Sequence, residues 1–182
     1  MKYCNQCGSS NLRYIVPEGD NYQRFVCDNC GEIHYINPKM IVGCLVVKEG
    51  KVLLCKRNIE PQLGKWNLPC GFLEMDEDLK TGAARETLEE SLVVASNLKL
   101  FSVYSIPVFG QVFFHFIAEM ANDTYGITSE SSEVEFFSKD NLPWDDLAFS
   151  STRFCLERYF ENPDLIPSQP YFGIHDKSKP GF

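Results

Sequence analysis

The sequence has no apolar run that approaches the roughly 20 residues a helix needs to cross a membrane. It opens Met1-Lys2-Tyr3-Cys4 without an apolar signal segment, so we expect a cytoplasmic protein with no membrane partner. Internal repeats and low-complexity tracts are also absent, which excludes solenoids and fibrous proteins. These absences leave a globular protein.

Positive charge is scarce in this chain. Lys and Arg number 17 against 25 Asp and Glu, which gives a formal net charge of −8. Because nucleic-acid binders use Lys and Arg against phosphate, we predict no nucleic-acid partner. An acidic protein that binds a phosphorylated small molecule needs cations between the two negative charges, so the charge balance favours a bound metal.

Four of the eight cysteines stand in two C-x2-C pairs near the N-terminus, Cys4 with Cys7 and Cys27 with Cys30. Two tight turns that each offer two thiolates can close a tetrahedral zinc site at this separation. We therefore expect one structural Zn²⁺, which would supply the folding energy that so short a segment cannot obtain from a core. A redox role for the pairs is disfavoured because no βαβ pattern precedes them.

The other cysteines are scattered through apolar runs, which predicts buried thiols in a reducing compartment; they are Cys44, Cys55, Cys70 and Cys155.

The chain is long enough for one catalytic domain and a small module. Asn37-Pro38 marks a boundary, so we predict a zinc ribbon over 1–36, a catalytic domain over 37–161 and a proline-rich extended tail over 162–182. Hydrophobic patterning predicts the elements of the catalytic domain. Strands are predicted over Met40–Val47, Lys51–Arg57, Leu98–Pro107, Gln111–Met120 and Ser132–Phe137, and helices over Asp78–Leu92 and Ser150–Glu161. This order is typical of an α/β fold with helices against a mixed sheet.

The first helix has an acidic side. Glu86 and Glu90 are four residues apart and share one face, with Glu89 one step around the helix. Ala84 and Leu88 fall on the opposite side with Leu92, and we expect that side to pack on the sheet. Crowded carboxylates suit hard cations with oxygen ligands, Mg²⁺ or Mn²⁺, although a solvated acidic face is the simpler interpretation of Glu89-Glu90 alone.

The surrounding residues favour the metal interpretation. Gly71, Glu77, Arg85 and the three glutamates, with Val93 at the end, resemble the Nudix box G-x5-E-x7-R-E-U-x-E-E-x-G-U, where U is aliphatic. Trp66-Asn67-Leu68-Pro69-Cys70 is similar to the W-x-L-P that commonly precedes the box. The resemblance implies a Nudix α/β/α sandwich with a mixed sheet behind the ribbon.

The resemblance also implies roles for individual residues. Glu86 and Glu90 would be metal ligands, with Glu89 as a further ligand or polarising water, and the Cys70 carbonyl would join them. Arg85 and Glu77, with Gly71 beside them, would hold the carboxylates in place. A general base is still required, and Glu89 and Glu133 both remain candidates.

Two residues depart from the box. Thr87 replaces an aliphatic residue, and Leu92 replaces the glycine that normally ends the helix in a left-handed conformation. We expect the helix to run on past Leu92 or the turn to be rebuilt, because a left-handed leucine costs about 1 kcal/mol or more. The metal ligands precede this turn, so activity should survive.

The ribbon, I-x-Y-I-N-P, V-G-C-L and the late E-S-x-E-V-x-x-F pattern resemble a ribbon-bearing Nudix branch that includes bacterial proteins and the plant chloroplast FAD pyrophosphohydrolase. NADH pyrophosphatases also carry a ribbon, but with a further domain and an S-Q-P-W-P-F-P signature, of which Ser168-Gln169-Pro170-Tyr171 shares only the start. The resemblance implies Mg²⁺-dependent hydrolysis of FAD to FMN and AMP, or of ADP-ribose to AMP and ribose 5-phosphate. The alternatives are hydrolysis of nucleoside triphosphates and a non-catalytic nucleotide-binding module.

Three further residues are candidates for substrate binding. Arg57 ends a strand and could reach a phosphate, while Trp66 and Phe109 could stack on a nucleotide ring. Core packing is the commoner use of such aromatic residues, and an ion pair is the alternative for the arginine. We also expect a homodimer in which the ribbon or the tail helps to wall the nucleoside cleft.

Overall fold

The structure, a computed structural model, describes residues 1–163 and 167–175. The chain divides into two compact units, Met1–Asn37 and Pro38–Phe182. Within the described ranges no helix is long and apolar enough to span a bilayer. The predicted tail falls in part on residues 164–166 and 176–182, which lie outside the described residues.

The first unit holds a three-stranded antiparallel sheet of β1 (Leu12–Ile15), β2 (Arg24–Cys27) and β3 (Ile33–His34). Gly8 and Gly31 each follow a cysteine pair with φ angles of 74° and 77°. Each amide donates to the carbonyl of the first cysteine of its pair, and these left-handed positions favour glycine. The same turn is therefore used at both pairs.

The second unit contains eight strands and two α-helices among its described residues. They are β4 (Lys39–Lys48), β5 (Lys51–Arg57), β6 (Trp66–Asn67), β7 (Cys70–Phe72), α1 (Leu79–Ser91), β8 (Ala95–Ile106), β9 (Gln111–Met120), β10 (Ser131–Phe137), α2 (Ser150–Glu161) and β11 (Tyr171–Ile174). The sheet order is β10-β5-β4-β9-β8-β11, with β6 on β5 and β7 on β4. Its β4–β9 and β8–β11 pairs are parallel, so the sheet is mixed as predicted.

Each face of the sheet packs against one helix. Along β4, Val46 belongs to a core that includes Ala83 of α1, whereas Leu45 belongs to a core that includes Leu156 of α2. Alternate residues of a strand point to opposite faces, so neighbouring positions on β4 fill different cores. The result is a helix–sheet–helix sandwich.

The two long helices agree with the predicted ranges, but the end of α1 differs. Leu92 itself adopts the left-handed conformation, with φ 62° and ψ 10°, and its amide donates to the Leu88 carbonyl. The helix neither runs on nor rebuilds the turn, so that prediction was wrong. Asn122 holds the chain in this turn, because its Nδ2 donates to the Leu92 carbonyl and its Oδ1 accepts from the Val94 amide, each at 2.9 Å.

Three short strands of the second unit were not predicted. β6 and β7 comprise two and three residues, too short for an alternating pattern. β11 lies in the predicted extended tail, where it pairs in parallel with β8 through Tyr171 and Ser102. Residues 171–174 of the extended tail therefore form a strand of the sheet, which the sequence did not indicate.

Candidate active site and zinc centre

Helix α1 carries the candidate metal ligands and begins at Asp78. The Asp78 carboxylate accepts the amides of Lys80 and Thr81 at 2.8 and 2.9 Å, which satisfies two free donors of the first turn. This N-cap fixes where the helix starts and therefore which side chains lie on its inner face.

The inner face of α1 is not the apolar side that the sequence suggested. Its buried residues include Ala83, Glu86, Thr87 and Glu90, while Leu88 is 45% exposed. Leu92, at the end of the helix, is 47% exposed. The predicted packing of Leu88 and Leu92 on the sheet was wrong, because the side with two glutamates lies against the molecule instead.

Thr87 fits this inner face through its hydroxyl. Its side chain is fully buried, and Oγ1 donates to the Ala83 carbonyl at 2.7 Å. A buried hydroxyl with a partner costs little, so threonine replaces the usual aliphatic residue without leaving an unsatisfied polar group.

Arg85 connects the acidic residues around the helix. It donates to both Glu77 carboxylate oxygens at 3.0 and 2.6 Å, and to the Phe72 carbonyl at 3.1 Å. It also donates to Glu86 Oε1 at 2.7 Å and to Glu89 Oε2 at 3.1 Å. All five guanidinium N–H groups thereby have an acceptor, a pattern lysine could not reproduce.

Glu77 and Gly71 complete this support. Glu77 Oε1 also accepts the Glu74 amide at 2.8 Å, and its hydrogen bonds with Arg85, followed by the one from Glu74, lower the pKa of Glu77 to about 2. At Gly71, a Cβ would lie 2.2 Å from Glu86 Oε2. Glycine is therefore required for β7 to approach the Glu86 carboxylate.

The two inner carboxylates are costly to ionise without a cation. Burial, with a smaller contribution from Glu86, raises the pKa of Glu90 to about 8, against the opposing charge of Arg57. Burial also raises the pKa of Glu86, although Arg85 opposes the shift. The Cys70 amide donates to Glu90 Oε2 at 3.3 Å, which ties the start of β7 to this carboxylate.

These residues line a cavity of about 600 Å³. Its acidic lining includes Glu86, Glu89 and Glu90 of α1, and its aromatic lining includes Phe72, Phe109, Phe113 and Phe149. Arg57 and Arg85 are its two cations among the described residues, and Cys70, Gly71 and Gln111 also border it. The cavity can therefore accept an anion through metal and arginine, and a flat ring through its phenylalanines.

Two of the three predicted substrate contacts reach this cavity. Arg57 lies there with its guanidinium carbon 5.3 Å from the Phe149 ring centre, and Phe109 lines the cavity at 53% exposure. Trp66 does not line it. Its ring is 8% exposed and lies edge-on to Phe137 in the core beside α2, so the prediction of a substrate contact was wrong.

Of the two candidate bases, Glu89 lines the cavity and Glu133 does not. The Glu133 carboxylate lies 2.7 Å from Lys56 Nζ in a surface ion pair, because it stands on the sheet edge opposite that lysine. Glu130, three residues earlier, does line the cavity. Sequence reasoning missed Glu130, and the available signal was its place just before the strand that pairs Ser131 with Arg57.

The four paired cysteines converge as predicted. Cys4 Sγ lies 3.7 Å from Cys30 Sγ, and Cys7 Sγ lies 3.6 Å from Cys27 Sγ. All four sulfurs lie within 4.8 Å of one another, and no other such group of ligand atoms exists in the described part of the chain. Zinc–sulfur bonds of 2.3 Å in a tetrahedron require sulfur–sulfur distances of about 3.8 Å, so the residues fit Zn²⁺.

The local polar groups favour thiolate at Cys7. A hydrogen bond with the Ser9 backbone, followed by one from the Asn29 side chain at 3.6 Å, lowers the pKa of Cys7 to about 6. A thiolate is the form that binds metal. Cys7 is thus prepared chemically for a cation.

Comparisons with known families cover nearly the whole chain. The NUDIX domain model matches residues 37–155, and the model of the Nudix N-terminal zinc ribbon matches residues 2–36. A crystal structure of a NUDIX hydrolase from Nitrosomonas europaea is similar over 97% of this chain and 100% of that one, with a TM-score of 0.87 and 44% sequence identity.

Two curated relatives of this chain have different activities. An ADP-ribose pyrophosphatase from Methanocaldococcus jannaschii is 33% identical over 113 residues, which is 60% of this chain and 67% of that protein. The NAD-capped RNA hydrolase NudC from Vibrio cholerae is 29% identical over 150 residues, 79% of this chain. The match spans about half, 51%, of the length of that relative.

Proposed function

The chain belongs to the Nudix family of hydrolases, and on that premise we propose that it hydrolyses the diphosphate of a nucleotide cofactor with Mg²⁺. Its fold and its class, a Nudix pyrophosphohydrolase with an N-terminal zinc ribbon, agree with the prediction from sequence. The proposed substrates are FAD, giving FMN and AMP, and ADP-ribose, giving AMP and ribose 5-phosphate. The observation that carries the proposal is a single cavity with buried carboxylates and an aromatic lining.

The carboxylate set fits a divalent cation. Glu86 and Glu90 are buried, and burial raises the pKa of both, so a cation between them would stabilise their ionised forms. Oxygen ligands of this kind favour Mg²⁺ or Mn²⁺, with Glu89 and the Cys70 carbonyl as further candidate ligands. When bound, the metal would neutralise the diphosphate and lower the pKa of a water molecule.

The chain's own residues would orient the reaction. Water forms a bond to one phosphorus, the bridging P–O bond breaks, and two monophosphates result. Arg57 would hold a phosphate oxygen. It lines the cavity, and its Nε donates to the Pro61 carbonyl rather than to a glutamate of α1. Arg85 would hold Glu86 and Glu89 in position through its hydrogen bonds.

A base must accept the water proton. Glu89 and Glu130 are the candidates that line the cavity, and Glu89 is engaged by Arg85 whereas Glu130 adjoins the strand beside Arg57. We favour Glu130 on that ground. Glu130→Gln should then lower kcat without changing the Mg²⁺ requirement, and Glu89→Gln should change both.

The aromatic lining supports a substrate with a flat ring. Phe109 and Arg57 come from different segments of the chain and line the same cavity, and Gln111 borders it with a carboxamide that can pair with a ring edge. A nucleoside triphosphate also carries a flat ring, so the aromatic lining suits both classes of substrate. The stronger support for a dinucleotide substrate comes from the relatives. The ADP-ribose pyrophosphatase relative supports ADP-ribose directly.

A substrate panel with product identification tests the proposal. Purified protein with Mg²⁺ is given FAD, ADP-ribose, NADH, NAD-capped RNA and nucleoside triphosphates. Equimolar AMP and the second monophosphate from FAD or ADP-ribose is the expected result. Pyrophosphate from triphosphates would support the triphosphate alternative instead, and no product from any substrate would support a non-catalytic nucleotide-binding module.

Two further properties belong to the proposal. We propose that the cysteine cluster of the ribbon holds one Zn²⁺ and that the protein works in the reducing cytoplasm, because all eight cysteines are free of disulfides. We also propose a homodimer, which light scattering at tens of micromolar tests directly. A monomer at that concentration would refute it.

A further inference from the structure

A buried amide connects helix α2 to Cys70, the first residue of β7. Asn67 is 1% exposed, and Thr152 of α2 is fully buried. The Thr152 hydroxyl donates to Asn67 Oδ1, and Asn67 Nδ2 donates to Cys70 Sγ at 3.3 Å. The amide oxygen of Asn67 is therefore bonded to α2 and its amide nitrogen to β7.

This bridge continues into the acidic face of α1. The Cys70 amide donates to Glu90 Oε2 at 3.3 Å. A chain of hydrogen bonds thus leads from Thr152 through Asn67 and Cys70 to Glu90. It crosses from one face of the sheet to the other, since α2 and α1 pack on opposite faces.

From this chain of contacts we infer that Asn67 is a positioning residue for the metal site, acting through Cys70. The inference rests on the proposed function, since it assigns Cys70 and Glu90 to one Mg²⁺ site. Asn67 does not line the cavity. Its amide holds the Cys70 side chain at the start of β7, so the Cys70 backbone keeps its place beside Glu90.

Physical chemistry gives the bridge its effect. A buried amide that loses one partner is left with an unsatisfied donor or acceptor, and movement of the chain relieves this unfavourable state. The element that would move is the short turn between β6 and β7, and it has few residues over which to spread the movement. Partners that hold a metal ligand from behind typically change metal affinity by about 10- to 100-fold when removed.

The neighbouring Ser151 provides a matched control. It is also fully buried on α2, but its Oγ has no hydrogen-bond partner among the described residues. Thr152→Val removes the hydroxyl and keeps the shape, Thr152→Ser keeps the hydroxyl, and Ser151→Ala removes a hydroxyl that connects to nothing. Asn67→Leu breaks the bridge at its centre and serves if Thr152→Val does not fold.

The test measures Mg²⁺ binding in two ways. The first is the Mg²⁺ concentration that gives half of the metal-induced rise in Tm without substrate, and the second is the Mg²⁺ concentration at half-maximal hydrolysis. Thr152→Val and Asn67→Leu should raise both by about tenfold or more, while Thr152→Ser and Ser151→Ala stay within about twofold of the unmodified protein.

The outcomes separate this inference from the proposed function. If Thr152→Val and Asn67→Leu lower Tm yet leave both Mg²⁺ concentrations within twofold, the bridge is merely structural and the inference is overturned. If the unmodified protein is stabilised by Mg²⁺ but hydrolyses no diphosphate, the proposed function fails, and the thermal measurement still decides on the bridge.

Discussion

The two metal centres of this molecule are built on opposite plans. In the ribbon, four sulfurs lie at nearly the distances that a bound zinc requires, and a small three-stranded sheet is the only regular structure around them among the described residues. In the cleft, Glu86 and Glu89 are hydrogen-bonded to Arg85, and Glu90 is buried beside the Cys70 amide. We therefore expect the first site to need its metal to fold, and the second, which the protein's own hydrogen bonds hold, to exchange its metal.

The largest effect is expected in the ribbon, which should unfold when its metal site is removed. Cys4→Ser or Cys27→Ser should abolish zinc binding and unfold residues 1–37, because structural zinc contributes roughly 10 to 16 kcal/mol in small domains. Elemental analysis and limited proteolysis measure both results. Asn29→Ala, which removes only a donor to Cys7 Sγ, should keep one zinc per chain. Zinc retained in both cysteine variants would contradict the assignment.

The second effect concerns the exchangeable site. Glu90→Gln should lower kcat by more than about 100-fold while the protein stays folded, since a neutral amide of the same shape is a poor ligand for Mg²⁺. Steady-state kinetics at saturating Mg²⁺ measure kcat, and circular dichroism confirms folding. An unchanged kcat would remove Glu90 from the metal site.

The pH dependence of stability sharpens the same point. The folded pKa of Glu90 is raised from 4.5 to about 8, so the folded state holds a proton that the unfolded state releases between those values. Without metal, the contribution of this proton to the free energy of unfolding is complete below pH 4.5 and is lost as pH rises through 8. The Glu90→Gln variant without metal cannot lose stability in this way, because its amide does not titrate. Its Tm at pH 8 should exceed that of the unmodified protein by about 5 °C.

The control for that experiment is the same pair of proteins near pH 4, where their Tm values should converge. Thermal melts of chelator-treated protein across pH 4 to 8.5 provide the data. A Tm difference that does not change with pH would show that Glu90 is not titrating in this range.

The smallest effect is at the end of α1. Leu92→Gly should raise Tm by about 2 to 4 °C, because glycine adopts the left-handed conformation without the penalty of about 1 kcal/mol. Leu88→Gly, an equally exposed leucine inside the helix, should lower stability by a similar amount. Equal changes in both variants would contradict the conformational explanation.

How far the sequence could predict this molecule depends on the kind of signal each part carries. The cysteine pairs and the residues of the box have fixed spacings that the fold must respect, so Cys4 to Cys30 and Glu77 to Glu90 were identified directly. Strand β9 and helix α2 were predicted at their observed bounds because both are long and periodic.

Other parts carry no such signal. The inner face of α1 has two glutamates and a threonine, and an apolar pattern therefore predicts the wrong side. Trp66 belongs to the core and Glu133 to a surface ion pair because of register between β10, β5 and β6, which composition does not reveal. Glu130 reaches the cavity, and Asn67 reaches Cys70 and Thr152, only through pairing and packing across the sheet.

The most direct test of the account is one dialysis experiment on the unmodified protein. Brief dialysis against a chelator should leave one zinc per chain, remove hydrolysis of ADP-ribose or FAD, and allow added Mg²⁺ to restore it fully. This outcome is predicted because the ribbon holds its metal through folding and the cleft does not. Hydrolysis that persists without added Mg²⁺, or zinc that leaves together with the activity, would contradict the account.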